Sequence, residues 1–190
     1  LYFDEAFELL GWKNRVDRFD ILSPTSYSGN SPVNYTDFNI LIQNYSKIIW
    51  SSDNLNGDII SDGTQYTPGD DFQLLYDFMD NHPNNPGLYL TGDNTAEVWH
   101  YLTGAGATSL RSQYMNFNLV SGDHVSNGDD TQPLLEGNGD IFVHNGAPDL
   151  LKADGGCPLI NDFDLLQPTG LSQVEMVSQE AGKAYILSQS

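Results

Sequence analysis

A chain of 190 residues is one domain's worth of polypeptide, and 39% hydrophobic residues with 12% aromatics supply enough apolar material for a core. That excludes a disordered tail or a fibrous repeat. Twenty-six acids against seven cations, a formal charge of −19, leave too little positive charge to neutralise a run of phosphates or to hold an anionic membrane surface.

In chain order, Asp4-Glu5-Ala6-Phe7-Glu8-Leu9-Leu10-Gly11 predicts a short helix, with Asp4 as its cap, Phe3, Phe7 and Leu10 on one face and Gly11 as its stop. Val16 to Leu22 is a predicted strand, followed by a Ser/Pro/Gly/Asn loop over 23–34. Phe38, Leu41, Ile42 and Tyr45 then recur at helical spacing over 36–45. Lys47-Ile48-Ile49-Trp50 opens a short strand over 47–52, apolar on both faces as in a parallel sheet.

The segment 53–69 is a long Asp/Gly/Asn loop, and 70–81 a helix with Phe72, Leu75, Phe78 and Met79 on one side. Pro83 and Pro86 stop it. Gly87-Leu88-Tyr89-Leu90-Thr91 is a second buried strand, and Ile48, Ile49, Leu88 and Leu90 are expected inside. Asn94 and Glu97 have capping-box spacing for a helix over 95–103.

Strands alternating with helices specify parallel βαβ units. Beyond residue 104 the pattern changes. Stretches 114–120, 140–144, 174–177 and 183–187 read as strands separated by Gly/Pro/Asp loops. The expected fold class is therefore α/β: a three-layer α/β/α sandwich with a mainly parallel sheet, to which the C-terminal half adds strands, some antiparallel. With no internal repeat and no low-complexity linker, residues 1–190 are read as a single domain.

Of the 26 acids 20 are Asp, and Asn and Gly are also abundant, which favours long polar loops over charged helices. That surface chemistry suggests an exported protein, extracellular, periplasmic or at the cell surface. No apolar run approaches the roughly 18 residues of a spanning helix, so membrane insertion is not expected. Leu1-Tyr2-Phe3 runs straight into acidic sequence without a basic leader or a cleavage site, and the chain is read as a fragment of a longer one. Its lone Cys157 excludes an internal disulfide.

In an open α/β sheet, ligands bind outside the carboxyl ends of the strands. The candidate crevice is therefore Ser52 and Asp53 after one strand, with Thr91, Gly92, Asp93 and Asn94 after the other. Two carboxylates there, or Asp53, Asp58 and Asp93 together, could hold Ca²⁺ through oxygen ligands; no other cofactor is implied. The same residues serve equally as helix caps and turn formers. The four histidines show neither HxH nor HExxH spacing, so zinc is not expected.

The order strand, polar turn, long Asp/Gly loop, helix, then Pro86-Gly87-Leu88-Tyr89-Leu90-Thr91-Gly92-Asp93 and a helix resembles the class I glutamine amidotransferase-like fold. That fold is a flavodoxin-like α/β sandwich, and the nearest likeness is to a poorly characterised branch in large secreted bacterial proteins. The resemblance covers residues 1–103 well and the remainder loosely, and it implies a first strand upstream of Leu1. In amidotransferases a nucleophilic Cys stands in the turn after such a strand. Here Leu90-Thr91-Gly92-Asp93-Asn94 contains none, which argues against glutaminase chemistry, since a carboxylate cannot replace the thiolate.

His144 and Gly155-Gly156-Cys157 superficially resemble the two strand ends of caspase-like cysteine proteases. Only 12 residues separate His144 from Cys157, too few for the helical crossover between them. The expectation from sequence is a non-catalytic accessory or interaction domain, whose partners are other domains of the same polypeptide. The alternatives are a hydrolase using Asp53 and Asp93, with or without a metal, and a cysteine protease using His144 and Cys157.

Overall fold

The computed structural model describes residues 2–20, 38–52, 60–64, 69–92, 95–125, 134–137, 150–152, 162–178 and 184–188. Five α-helices occur among them: α1 (Tyr2–Leu9), α2 (Phe38–Asn44), α3 (Asp71–Asn81), α4 (Thr95–Tyr101) and α5 (Ala105–Leu110). A π-helical turn, Arg111–Met115, continues α5. The strands are β1 (Lys47–Ser51), β2 (Gly87–Thr91), β3 (Phe117–Val125), β4 (Leu134–Gly137), β5 (Leu150–Lys152), β6 (Asp162–Pro168), β7 (Gln173–Ser178) and β8 (Ala184–Ser188).

The two strands predicted to be parallel neighbours are so. β1 and β2 pair in parallel with Ile48 opposite Leu88 and Trp50 opposite Leu90. These four side chains pack against a core of Ile60, Phe72, Leu75, Trp99, Ala107, Leu110 and Phe117. Ile49 differs from its expected burial. It faces the other way with its register partner Tyr89, 44% and 47% exposed respectively. Period-two alternation puts neighbouring side chains on opposite faces, so a run of apolar letters does not guarantee cover on both.

α3 forms where its pattern placed it. Asp70 Oδ1 accepts from Gln73 N at 2.9 Å as the N-cap, and Phe72, Leu74, Leu75 and Phe78 are buried. Gly106 lets α5 lie directly on the start of α3, because a Cβ there would overlap the backbone of Gln73. Trp99 of α4 joins these parts. Its ring lies 4.9 Å from Phe72 and 5.5 Å from Phe117, and Nε1 donates to Ala107 O at 2.9 Å.

The C-terminal strands form a sheet of their own rather than extending β1–β2. The described strands make six antiparallel neighbours in the order β3-β6-β8-β7-β4-β5. α4 packs on β3 and β6, and this helix couples the second sheet to the first. The described fold is thus mixed α and β, with a small parallel sheet and a larger antiparallel one.

Three local expectations are revised. Residues 16–20 form no strand: Arg18 pairs with Asp4 and Asp20, Asp17 accepts from Tyr45 Oη at 2.6 Å, and Val16 and Phe19 stay exposed. The predicted strand over 114–120 begins only at Phe117, since Asn116 adopts a left-handed φ of 48° that closes the π turn. Its carbonyl accepts from Thr169 N at 2.7 Å and Ser172 Oγ at 2.6 Å, pinning the start of β3 to the β6–β7 turn. Helix α4 ends at Tyr101, two residues early. The expected strand 140–144 lies outside the described residues.

Candidate functional site

The carboxyl ends of β1 and β2 meet as the topology requires. Ser52 N donates to Thr91 O at 2.9 Å, which carries the parallel ladder one residue past β1. Ser52 is 5% exposed, and its Oγ lies 3.2 Å from Thr91 O and 2.9 Å from Thr95 Oγ1. Thr95 Oγ1 donates to Gly92 O at 3.0 Å. Each hydroxyl proton is thereby committed to an oxygen of the same cluster, and among the described residues no His, Asp or Glu accepts from Ser52.

Gly92 permits this closure. Its φ is 145°, a region that side chains rarely adopt, and a Cβ would overlap Ser52 Oγ and sit 2.9 Å from Thr95 Oγ1. Ser52 Oγ and Thr95 Oγ1 therefore occupy the space above Gly92. Ser52, Thr91 and Gly92 lie together at the strand ends. Asp53, Asp58, Asp93 and Asn94, with His144 and Cys157 of the protease alternative, lie outside the described residues.

The positive end of α4 is occupied by Asp164 of β6: Oδ2 accepts from Ala96 N at 2.8 Å and Glu97 N at 3.1 Å. A carboxylate on the first-turn amides satisfies two orphan donors and complements the helix dipole. At the opposite end Arg111 Nη1 donates to Trp99 O at 2.8 Å and His100 O at 2.9 Å. A seven-residue helix is thus held at both ends by side chains of matching charge.

A second acidic group, absent from the predicted crevice, lies around the start of α3. Asp62, 2% exposed, accepts from Gly104 N at 2.9 Å and Thr103 N at 3.2 Å through Oδ2, and from Thr64 N at 3.2 Å through Oδ1. Asp71 is fully buried; its Oδ2 accepts from Ser61 Oγ at 2.7 Å while Ser61 Oγ accepts from Asp71 N at 3.2 Å. Burial raises the Asp70 carboxyl above its ordinary value against the pull of the Gln73 amide, with Asp62, Asp71 and Asp77 adding like charge. These oxygens hold backbone in place. Among the described residues no three His, Cys, Asp or Glu are arranged to hold a metal ion.

His82 also has a structural task. Nδ1 accepts from Asn84 N at 3.1 Å, so the ring proton is on Nε2, which donates to Tyr45 O at 2.8 Å. It clips the end of α3 to the turn before β1. Among the described residues no helix is long and apolar enough to cross a membrane.

Compared with known proteins, the chain matches no family model, no curated protein and no solved structure. The amidotransferase likeness therefore stands on the residues that carry it in the sequence.

Proposed function

We propose that this chain is a non-catalytic accessory or interaction domain of a larger exported protein. On this reading its first half is an amidotransferase-like three-layer sandwich that lacks the elbow Cys, and its partners are other domains of the same polypeptide. One observation supports the reading: among the described residues, the polar groups at the strand ends are engaged with one another. Ser52 and Thr95 share a hydrogen bond at 2.9 Å, and Asp164 occupies the first amides of α4. An acyl-transfer site needs free donors aimed where an oxyanion develops, and a nucleophile beside a base.

The test is a hydrolysis assay on the purified chain with glutamine, simple amides and activated esters, with and without Ca²⁺. No turnover above the blank is expected, and Asp93→Asn should leave the melting temperature equally insensitive to Ca²⁺. Turnover that disappears in Ser52→Ala or Asp93→Asn would establish the hydrolase alternative and remove the accessory reading.

A further inference from the structure

The first twenty residues pose a different question from the crevice. None of residues 3–20 is buried, and Phe7 alone is half-buried. Leu9 is 89% exposed and Leu10 60%, and Phe3, Trp12, Val16 and Phe19 are exposed beside them. An eight-residue helix is marginal in water unless its apolar face packs on something. Exposed apolar clusters of this kind mark interaction surfaces.

Charge says what fits there. Three of the chain's seven cations, Lys13, Arg15 and Arg18, fall within six residues. The preceding half of the segment carries Asp4, Glu5 and Glu8. The second half also holds Asp17, which accepts from Tyr45 Oη, so the segment runs from −3 over residues 2–10 to +2 over residues 11–19. Within one copy the halves already meet, Lys13 with Glu8 and Arg18 with Asp4, both at 3.1 Å, while Arg18 also pairs with Asp20. These pairs are about two-thirds exposed, so each holds its partner weakly and can exchange.

We propose that residues 2–19 are a homodimerisation surface, on which the same segment of a second copy lies antiparallel about a two-fold axis. In that arrangement the acidic half of each copy faces the basic half of the other, and the six exposed apolar side chains cover one another. A two-fold contact is self-complementary by construction, which a segment of this charge order satisfies. Elsewhere two copies bearing −19 each would present like charge. Of the four remaining cations, two have described side chains: Lys47 is bound to Asn85 O and Arg111 to the end of α4. The proposal goes beyond the reading of the chain as an accessory domain and adds one partner, a second copy.

Light scattering after size exclusion, across a concentration series, is the experiment. The mass is expected to rise from 21.0 kDa to twice that value. A mass that stays monomeric throughout would overturn the proposal. Leu10→Asp with Trp12→Ser should be monomeric with an unchanged far-ultraviolet spectrum; a persisting dimer would place the contact elsewhere. The charge order has its own test. Asp4→Lys with Glu8→Lys, and separately Lys13→Glu with Arg18→Glu, should each weaken self-association by about ten-fold or more. Mixing the two variants should restore the dimer as a heterodimer, and failure to restore it would rule out antiparallel pairing. Hydrolase activity in the assay above would remove the accessory reading and leave these association results standing.

Discussion

Asp164 sits on β6 and Ala96 opens α4, 68 positions earlier, yet the Asp164 carboxylate accepts the Ala96 amide at 2.8 Å. This contact joins the antiparallel sheet to the helix that follows the parallel pair. Asp164→Ala should lower stability by about 1–2 kcal/mol, through two orphaned amides and the lost dipole interaction. Asp164→Asn, which keeps an acceptor and loses the charge, should cost less than half of that. Chemical denaturation of the three proteins side by side provides the check, and equal losses for both variants would mean the contact is not a cap.

What could be read from the sequence and what could not divide along a physical line. The bounds of β1, β2 and α3 follow from local period and from Asp70 and Pro83, information that lies within a few residues. The meeting of Ser52, Thr91 and Gly92 follows from topology, because parallel neighbours bring their carboxyl ends together. The Asp164 cap could not be read. Its residue type is ordinary for a loop or cap, and its partners are 67 and 68 positions away. Asp62 falls within the loop read over 53–69, and only the approach of Thr103 and Gly104 makes it a backbone anchor. Of the strand expected over 16–22, the described part, 16–20, forms none, because charges at Asp17, Arg18 and Asp20 found partners outside any sheet.

Asp70 gives a pH prediction with a definite sign. Its carboxyl is raised above the ordinary 3.8, chiefly by burial, so the folded state binds this proton more readily than the unfolded chain. The contribution of Asp70 is then most favourable below about 3.8 and is lost as pH rises through the raised value. Asp70→Asn keeps the cap to Gln73 and removes the ionisation. The stability of Asp70→Asn relative to wild type should therefore increase with pH across that window and level off above it. Paired melting curves over a pH series would expose a flat or falling difference, which would contradict the assignment.

Trp99 should be the most sensitive position in the core. It is 2% exposed, contacts Phe72 and Phe117, and donates to the Ala107 carbonyl, which also accepts from Arg111 N. Trp99→Phe keeps an aromatic ring but removes one of that carbonyl's two donors and opens space beside α5. A loss of about 1–3 kcal/mol is expected, most of it from the space opened. A loss below about 1 kcal/mol, measured by urea denaturation, would show that the helix repacks and that the indole bond contributes little.

The closure of the strand ends can be tested through Gly92 and Ser52 as a pair. Any side chain at Gly92 meets two costs: a φ of 145° and overlap with Ser52 Oγ. The first cost is intrinsic to the backbone and is about 1–3 kcal/mol. The second depends on the serine hydroxyl being where the structure puts it. Gly92→Ala should therefore be strongly destabilising in the wild-type background. With Ser52→Ala already in place the backbone cost remains, while the overlap with Oγ is gone. The cost of Gly92→Ala should then be smaller by about 1 kcal/mol or more, a coupling of the size expected for residues in direct contact. Urea denaturation of the two single variants and the double variant measures it. If the costs simply add, Ser52 Oγ does not fill the space above Gly92, and the strand ends would be open to a ligand after all.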